Sequence, residues 1–178
     1  MPDTARDEFG RRLADASILL IDDEPGMRNF LTKTLEPRCK RVEQASSAPE
    51  ATALLDSSHF DLVILDNVMP GHTGLDWVRE QRHLGLFSDT ILITAYADLE
   101  TAITALRAGV SDLVIKPFRA NEILSAVERA LDRKYLRRDN ALLRRELHAE
   151  CGRGKLLGTS PQFAAVREVI ERVSHLPT

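Results

Sequence analysis

The sequence predicts an α/β protein with a five-stranded parallel sheet, doubly wound by helices, and an extended C-terminal helix. Five short apolar runs are each closed by polar or turn-forming residues, which is typical of strands buried on both faces. Apolar residues at helical spacing separate these runs, as expected for repeated βαβ units. After the last run, a helical pattern continues to Gly152 without glycine or proline, about twice the usual helix length.

The predicted strands alternate with helices along the chain. The strands lie at residues 17–21, around Val42, and at residues 62–65, 90–94 and 113–115.

The first two helices carry recognisable boundary signals. Pro25 suits the first turn of the first helix, and Pro37 ends it. Ser47 and Glu50 have the spacing of a capping box that opens the second.

The later helices carry weaker signals. The third begins near Leu75 and fades by Gly85, whereas Asp98 is the expected N-cap of the fourth and Gly109 its end.

The last helix divides into two parts. Apolar residues in its first part can cover the sheet: Ile123, Leu124, Val127 and Leu131. In the second part Leu136, Asn140, Leu143 and Leu147 follow at intervals of four, three and four residues. This heptad stripe, with an asparagine at one core position, favours a dimerising coiled coil. A solvated helix with ion pairs between neighbouring turns is the alternative.

Composition excludes several classes of protein. The 178 residues are 43% hydrophobic and 29% charged with a net charge of -3, so no overall basic field indicates nucleic acid. No apolar run approaches the ~18 residues of a membrane span, and residues 1–12 do not form a secretory signal. Cys39 and Cys151 form no disulfide pattern. We therefore expect a cytoplasmic protein without membrane partners.

Potentially reactive residues lie at the carboxyl ends of four of the five predicted strands: Asp22 and Asp23, Asp66, Thr94 and Lys116. The carboxyl ends of parallel strands meet at one edge of a sheet, where such folds bind ligands. Three carboxylates there call for a cation, and hard oxygen ligands suit Mg2+. Asp66 can attack a phosphoryl group as a carboxylate nucleophile, Lys116 can supply positive charge, and the Thr94 hydroxyl can hydrogen-bond a phosphoryl oxygen.

The motifs Ile21-Asp22-Asp23-Glu24, Leu65-Asp66-Asn67-Val68-Met69-Pro70-Gly71 with Gly74, Thr94-Ala95 and Lys116-Pro117-Phe118 resemble the receiver domain of bacterial two-component response regulators. The resemblance covers roughly residues 17–131 and implies a flavodoxin-like, or CheY-like, fold.

For the site, the resemblance implies that a sensor histidine kinase phosphorylates Asp66. It also implies that Asp23, Asp66 and the Val68 carbonyl ligate Mg2+, with Asp22 assisting through water. Thr94 and Lys116 would contact the phosphoryl group, and Lys116-Pro117 would be a cis peptide. Phosphorylation would then change a dimer formed through the receiver face and the linker.

One position departs from the family pattern. The family usually has tyrosine or phenylalanine three residues before the lysine, as a rotameric switch coupled to the threonine, and here that residue is Leu113. Tyr96, two residues after Thr94, is a candidate for part of that role.

A second resemblance lies near the C-terminus. The long helix, a hinge and Leu157-Gly158-Thr159-Ser160-Pro161 resemble the junction into the ATPase domain of sigma-54-dependent activators of the nitrogen-regulator (NtrC) class. Such a full-length protein would contact DNA and sigma-54 RNA polymerase, which this chain alone would not do. No Walker motif precedes Thr178, so we expect a regulatory phosphoacceptor rather than an ATPase.

The expected organisation has four parts. Residues 1–16 are an N-terminal extension, 17–132 the receiver domain, 133–152 the helical coiled-coil linker, and 153–178 the start of a truncated AAA+ ATPase domain.

Two alternative functions use the same residues. A phosphatase of the haloacid dehalogenase type also has a strand-end aspartate nucleophile, but it needs a second aspartate two residues later, where this chain has Val68. A degenerate receiver that only dimerises would be consistent with Leu113.

Overall fold

The computed structural model describes residues 10–85, 88–95 and 99–151, with the side chains of residue 99 and of residues 146–151 left out. Several predictions lie outside these residues: the Asp98 cap, Tyr96, the hinge at Gly152 and the motif at residues 157–161. The side chain of Leu147 lies outside them too.

The structure confirms the predicted parallel sheet. Its strands are β1 (Ser17–Ile21), β2 (Arg41–Ala45), β3 (Leu62–Asp66), β4 (Asp89–Thr94) and β5 (Asp112–Ile115). They are ordered β2-β1-β3-β4-β5, and every neighbouring pair is parallel. Their carboxyl ends therefore lie along one edge of the sheet.

Five helices connect or follow these strands: α1 (Pro25–Leu35), α2 (Ala48–Ser57), α3 (Gly74–His83), α4 (Leu99–Arg107) and α5 (Ala120–Cys151). Between β3 and α3, residues Val68–Met69 pair antiparallel with His72–Thr73. The sequence predicted only a turn there. Among the described residues, no helix combines the length and apolar character that a membrane span needs.

Alternate residues of the strands enter two separate hydrophobic layers. Leu19, Val63 and Leu92 belong to the layer that includes residues of α2, α3 and α4. Ile18 and Ile64, with other strand residues, belong to the layer that includes α1 and α5. Because successive side chains of a strand point to opposite faces, this division confirms that helices cover both faces of the sheet.

The ends of the helices agree with the sequence at four places, but at one of them the predicted bonds differ. Pro25 occupies the first turn of α1, and Gly85 and Gly109 follow the ends of α3 and α4 with φ of 84° and 80°. Ser47 is the N-cap of α2, as predicted, but the predicted capping box is wrong in its bonds, because the Ser47 side chain makes no capping bond. The Glu50 carboxylate instead accepts bonds from the amide and hydroxyl of Ser46, both at 2.7 Å.

Part of the predicted N-terminal extension packs against the receiver core. Residues 10–14 are helical, and Leu13 and Ala16 are buried in the layer that contains α5. Arg12 donates to the Asp132 carboxylate, and its guanidinium lies 5.0 Å from the centre of the Tyr135 ring. This segment thus contributes to the packing of α5.

Helix α5 has the predicted apolar face in its first part. Ile123, Val127 and Leu131 are buried, and Leu124 packs partly buried beside them. Farther along, the side chains of Leu136 and Leu143 are 67% and 59% exposed. The coiled coil stays a prediction.

Candidate functional site

The predicted site residues meet at the carboxyl edge of the sheet. Asp22 follows β1, Asp66 ends β3, Thr94 ends β4 and Lys116 follows β5. Backbone bonds hold these strand ends together, because the Asn67 amide donates to the Ile93 carbonyl and the Lys116 amide to the Thr94 carbonyl, both at 2.8 Å. Residues that are far apart in the sequence therefore form one site.

Three carboxylates form its centre. One oxygen each from Asp22, Asp23 and Asp66 lies within 4.8 Å of the others. Asp22 and Asp66 are only 1% and 5% exposed, whereas Asp23 is exposed to solvent. The cluster is thus closed on the protein side and open on one side to water.

Lys116 supplies positive charge to this cluster. Its Nζ donates to Asp66 Oδ2 at 2.8 Å and lies 3.5 Å from Asp22 Oδ2. Burial alone would lower the pKa of Lys116, but the bond to Asp66 and the charges of Asp22 and Asp66 outweigh burial and raise that pKa. The lysine therefore stays protonated at neutral pH.

Asp22 has one oxygen without a hydrogen bond. Its Oδ1 accepts the Glu24 amide at 2.7 Å, whereas Oδ2 is buried and accepts no hydrogen bond. Burial raises the pKa of Asp22, against the opposing effects of the Glu24 bond and the Lys116 charge. A buried, unbonded carboxylate oxygen beside two further carboxylates fits a hard divalent cation such as Mg2+.

Thr94 and Val68 are placed near this cluster by their strands. Thr94 is fully buried and pairs with Ile115, the residue before Lys116. Val68 pairs with Thr73 just after β3, with a side chain that is 55% exposed. The metal ligation by its carbonyl stays a prediction.

The loop after Asp66 needs a glycine at position 74. The Gly74 amide donates to the Asn67 carbonyl at 2.9 Å, and a Cβ at Gly74 would collide with the Asp66 carbonyl oxygen. The next amide, that of Leu75, donates to the Asn67 side chain at 3.3 Å. Gly74 thus lets α3 begin directly against the end of β3.

Two features of the site were not predicted from the sequence. Arg28 donates from Nη1 to the backbone carbonyl of Asp22 at 2.6 Å, and Asn67 bonds to the start of α3. Their positions within or just after the matched motifs were the only available signal. The predicted cis peptide at Lys116-Pro117 is present, and Leu113, at the usual aromatic position, is partly buried against the core.

Comparison with known protein families gives a match to the part of the chain that forms the sheet. The family model of the response regulator receiver domain matches residues 18–128. The solved structure of a CheY-like response regulator receiver domain protein from Methanospirillum hungatei superimposes with a TM-score of 0.64 at 26% identity, covering 69% of this chain and 98% of that one.

Longer proteins match as well. The C4-dicarboxylate transport transcriptional regulatory protein DctD of Rhizobium meliloti is 32% identical over 161 residues, which are 90% of this chain and 35% of DctD. The regulatory protein AtoC of Escherichia coli is 34% identical over 144 residues, which are 81% of this chain and 31% of AtoC. The chain therefore spans about a third of the length of these relatives.

Proposed function

The chain belongs to the response regulator receiver family, and from this premise we propose that it is a phosphorylation-controlled switch with Asp66 as the phosphoacceptor. One observation carries the proposal. The Asp66 carboxylate ends β3 at the carboxyl edge, 2.8 Å from the Lys116 ammonium and clustered with Asp22 and Asp23. A nucleophile, a cation and a pair of additional acidic ligands are thereby assembled at one point.

In the proposed reaction, a carboxylate oxygen of Asp66 attacks the phosphorus of a phosphohistidine on a sensor kinase. The new O–P bond forms an acyl phosphate as the P–N bond breaks, and the leaving imidazole nitrogen keeps the electron pair. Lys116 moves its hydrogen bond from the carboxylate to a phosphoryl oxygen, and the Thr94 hydroxyl donates to another. Both stabilise the negative charge that the phosphoryl group brings.

The residues that would hold magnesium are Asp23, Asp66 and the Val68 carbonyl, with Asp22 acting through water. When bound, Mg2+ supplies positive charge that offsets the clustered carboxylates and the phosphoryl oxygens. The unbonded Oδ2 of Asp22 supports this assignment, because a buried carboxylate oxygen without a hydrogen bond is costly.

An apolar cleft beside Lys116 supports a protein as phosphoryl donor. Met27, Phe30, Pro117 and Phe118 line much of this cleft, whose volume is about 460 Å³, and Phe30 is 39% exposed. Apolar surface rimmed by charged groups is typical of protein interaction sites. We assign this cleft to the sensor histidine kinase.

The longer relatives support a proposal for the process that the switch controls. DctD is named a transcriptional regulatory protein, and its match reaches past the receiver because it covers 90% of this chain. We therefore propose that residues 17–132 control a sigma-54-dependent activator of the NtrC class. Residues 133–152 would be its dimerising linker and residues 153–178 the start of its AAA+ ATPase domain.

Binding of beryllofluoride, a phosphoryl mimic, tests the phosphoacceptor. The wild type is expected to form a magnesium-dependent adduct, detected by fluorine NMR, and Asp66→Asn is expected to form none. Asp56→Asn changes an exposed aspartate of α2 and should behave as the wild type does. A wild type that forms no adduct would contradict the proposal and favour the degenerate receiver. Sustained turnover of a small phosphate ester would favour the phosphatase.

A further inference from the structure

Asp22 is fixed at the carboxyl edge through three of its polar atoms. Its amide donates to the Ala45 carbonyl at 3.2 Å, its Oδ1 accepts the Glu24 amide at 2.7 Å, and its backbone carbonyl accepts Arg28 Nη1 at 2.6 Å. The fourth atom, Oδ2, accepts no hydrogen bond. The direction of this oxygen is therefore set by the bonds to the other three atoms, together with its ion pair with Lys116 Nζ at 3.5 Å.

Arg28 ties the acidic loop to α1 by two bonds. Its backbone amide donates to the Glu24 carbonyl at 3.1 Å, and its guanidinium donates to the Asp22 carbonyl. The loop of residues 22–24 is thereby closed from both ends by one residue of the helix. A hydrogen bond from a charged donor is stronger than one between neutral groups, so the arginine bond restrains this loop effectively.

We propose that Arg28 is a positioning residue for the magnesium site. It acts through the backbone of Asp22 and orients the acidic pair toward the cation, without ligating the cation itself. This inference rests on the proposed function, because it assumes that Asp22, Asp23 and Asp66 form the metal site. Partners that orient metal ligands in this way typically change metal affinity roughly ten- to hundredfold when they are removed.

Simple electrostatics predicts the opposite sign. Arg28 carries a positive charge near the acidic cluster, and removing a cation should by itself strengthen the binding of Mg2+. If Arg28 acts by positioning, Arg28→Ala weakens magnesium binding despite the loss of a repelling charge. The direction of the change in affinity therefore separates the two effects.

The same helix offers a matched control. Arg38, beyond the other end of α1, donates from Nη1 to the Thr34 carbonyl, also at 2.6 Å. Arg38→Ala thus removes the same type of arginine–carbonyl bond from the same helix without touching the acidic loop. Arg28→Lys is the conservative variant, because lysine keeps the charge and one flexible donor.

Magnesium titration of the full chain by calorimetry tests the proposal. We expect Arg28→Ala to bind Mg2+ roughly ten- to hundredfold more weakly than the wild type, Arg28→Lys to recover part of that loss, and Arg38→Ala to match the wild type. Hydrogen exchange of the Glu24 amide without metal gives a second readout, and it should be faster in Arg28→Ala only. Should Arg28→Ala fail to fold, Arg28→Lys carries the test: the proposal predicts weaker magnesium binding than in the wild type, and unchanged or tighter binding would contradict it.

The outcomes separate this inference from the proposed function. If the wild type and Arg38→Ala bind magnesium and Arg28→Ala binds it as well or more tightly, the positioning role is wrong and the metal site stands. If Arg38→Ala loses as much magnesium affinity as Arg28→Ala, the loss comes from a general change in α1, and the positioning role of Arg28 is again wrong. If the wild type binds no magnesium, the proposed metal site and this inference both fail.

Discussion

The Lys116 ammonium lies beside two members of the acidic cluster, at 2.8 Å from Asp66 Oδ2 and 3.5 Å from Asp22 Oδ2. It balances their charge, and in our proposal it becomes a positioned cation for the phosphoryl oxygens after phosphorylation. The same side chain therefore links the unmodified and the modified states of the site.

Replacing this lysine should separate metal binding from phosphoryl binding. We expect Lys116→Met to weaken the beryllofluoride adduct about tenfold or more, because a positioned charge is lost. Magnesium affinity should not fall, since a competing cation is removed. Fluorine NMR and calorimetry measure the two quantities, with the exposed Lys33→Met as control. An unchanged adduct would contradict the role of Lys116.

Gly74 sets the geometry of the loop beside Asp66. Because an added Cβ would meet the Asp66 carbonyl oxygen, we expect Gly74→Ala to lower the free energy of unfolding by about 2–3 kcal/mol. Gly71 has φ of 82° and no atom within 4 Å of the position that a Cβ would take, so Gly71→Ala should cost only the ~1–2 kcal/mol of a left-handed residue. Urea denaturation compares the two. Equal losses would show that the close approach at Gly74 is unimportant.

At the scale of elements, α5 is held at the edge of the sheet opposite Asp66. Lys134 of α5 pairs with Asp61 Oδ1 at 2.6 Å, and the other carboxylate oxygen of Asp61 accepts the Ser17 amide, at the start of β1, at 2.8 Å. Arg12, which lies shortly before Ser17 in the sequence, donates a hydrogen bond to Asp132 of α5. These contacts fix the helix where the receiver domain meets the predicted linker.

The Asp61–Lys134 pair predicts a pH-dependent stability. Burial would raise the pKa of Asp61, but the bonds from Lys134 and Ser17 lower it further than burial raises it. The pair therefore stabilises the fold fully above the unfolded-state pKa of about 3.8, and this contribution is lost as the pH falls toward the folded-state value.

Asp61→Asn isolates this effect because asparagine can still accept the Ser17 amide. We expect it to destabilise the protein by about 1–2 kcal/mol at neutral pH, with the difference from the wild type shrinking as the pH falls below the unfolded-state pKa of about 3.8. Urea denaturation at neutral and acidic pH measures this, and Glu43→Gln in the exposed pair with Arg41 should change little. A difference that is constant with pH would rule out the ion pair as the cause.

Sequence reasoning succeeded for elements whose signal is local. The apolar run before Asp66 indicated both the strand and the residue at its end, because a strand that is buried on both faces ends at the first charged side chain. It found the N-cap at Ser47 but not the partner of Glu50, because two adjacent serines were available and the Glu50 carboxylate bonds to Ser46. The packing of Leu13 and the contact of Arg28 depend on tertiary approach, which periodicity does not encode.

At the scale of the whole molecule, the proposed signal output depends on α5. Asn140, Leu136 and Leu143 of the heptad stripe are exposed. A stripe that pairs with a second copy of the chain is expected to be exposed in a single copy. In our proposal, phosphorylation adds negative charge at Asp66. This charge can shift an equilibrium between two arrangements of the molecule only if it stabilises one of them more than the other. The dimer formed through the linker and the receiver face is our candidate for that equilibrium.

Sedimentation tests the dimer with two matched variants. We expect the unphosphorylated wild type to be a dimer at high micromolar concentration, and Leu143→Asp in the heptad stripe to weaken it at least about tenfold. Leu142→Asp, one residue off the stripe and also exposed, should leave the dimer intact. A monomeric wild type would contradict the proposed dimer, and equal effects of both variants would contradict the assignment of the heptad stripe as its interface.

The most direct test of the central claim is the position of the phosphoryl group itself. The chain is incubated with acetyl phosphate and magnesium, the acyl phosphate is reduced with borohydride, and peptides are mapped by mass spectrometry. We predict that Asp66 is converted to homoserine, only when magnesium is present. Modification at Asp22 or Asp23 instead, or none at all, would contradict the assignment of Asp66 as the phosphoacceptor.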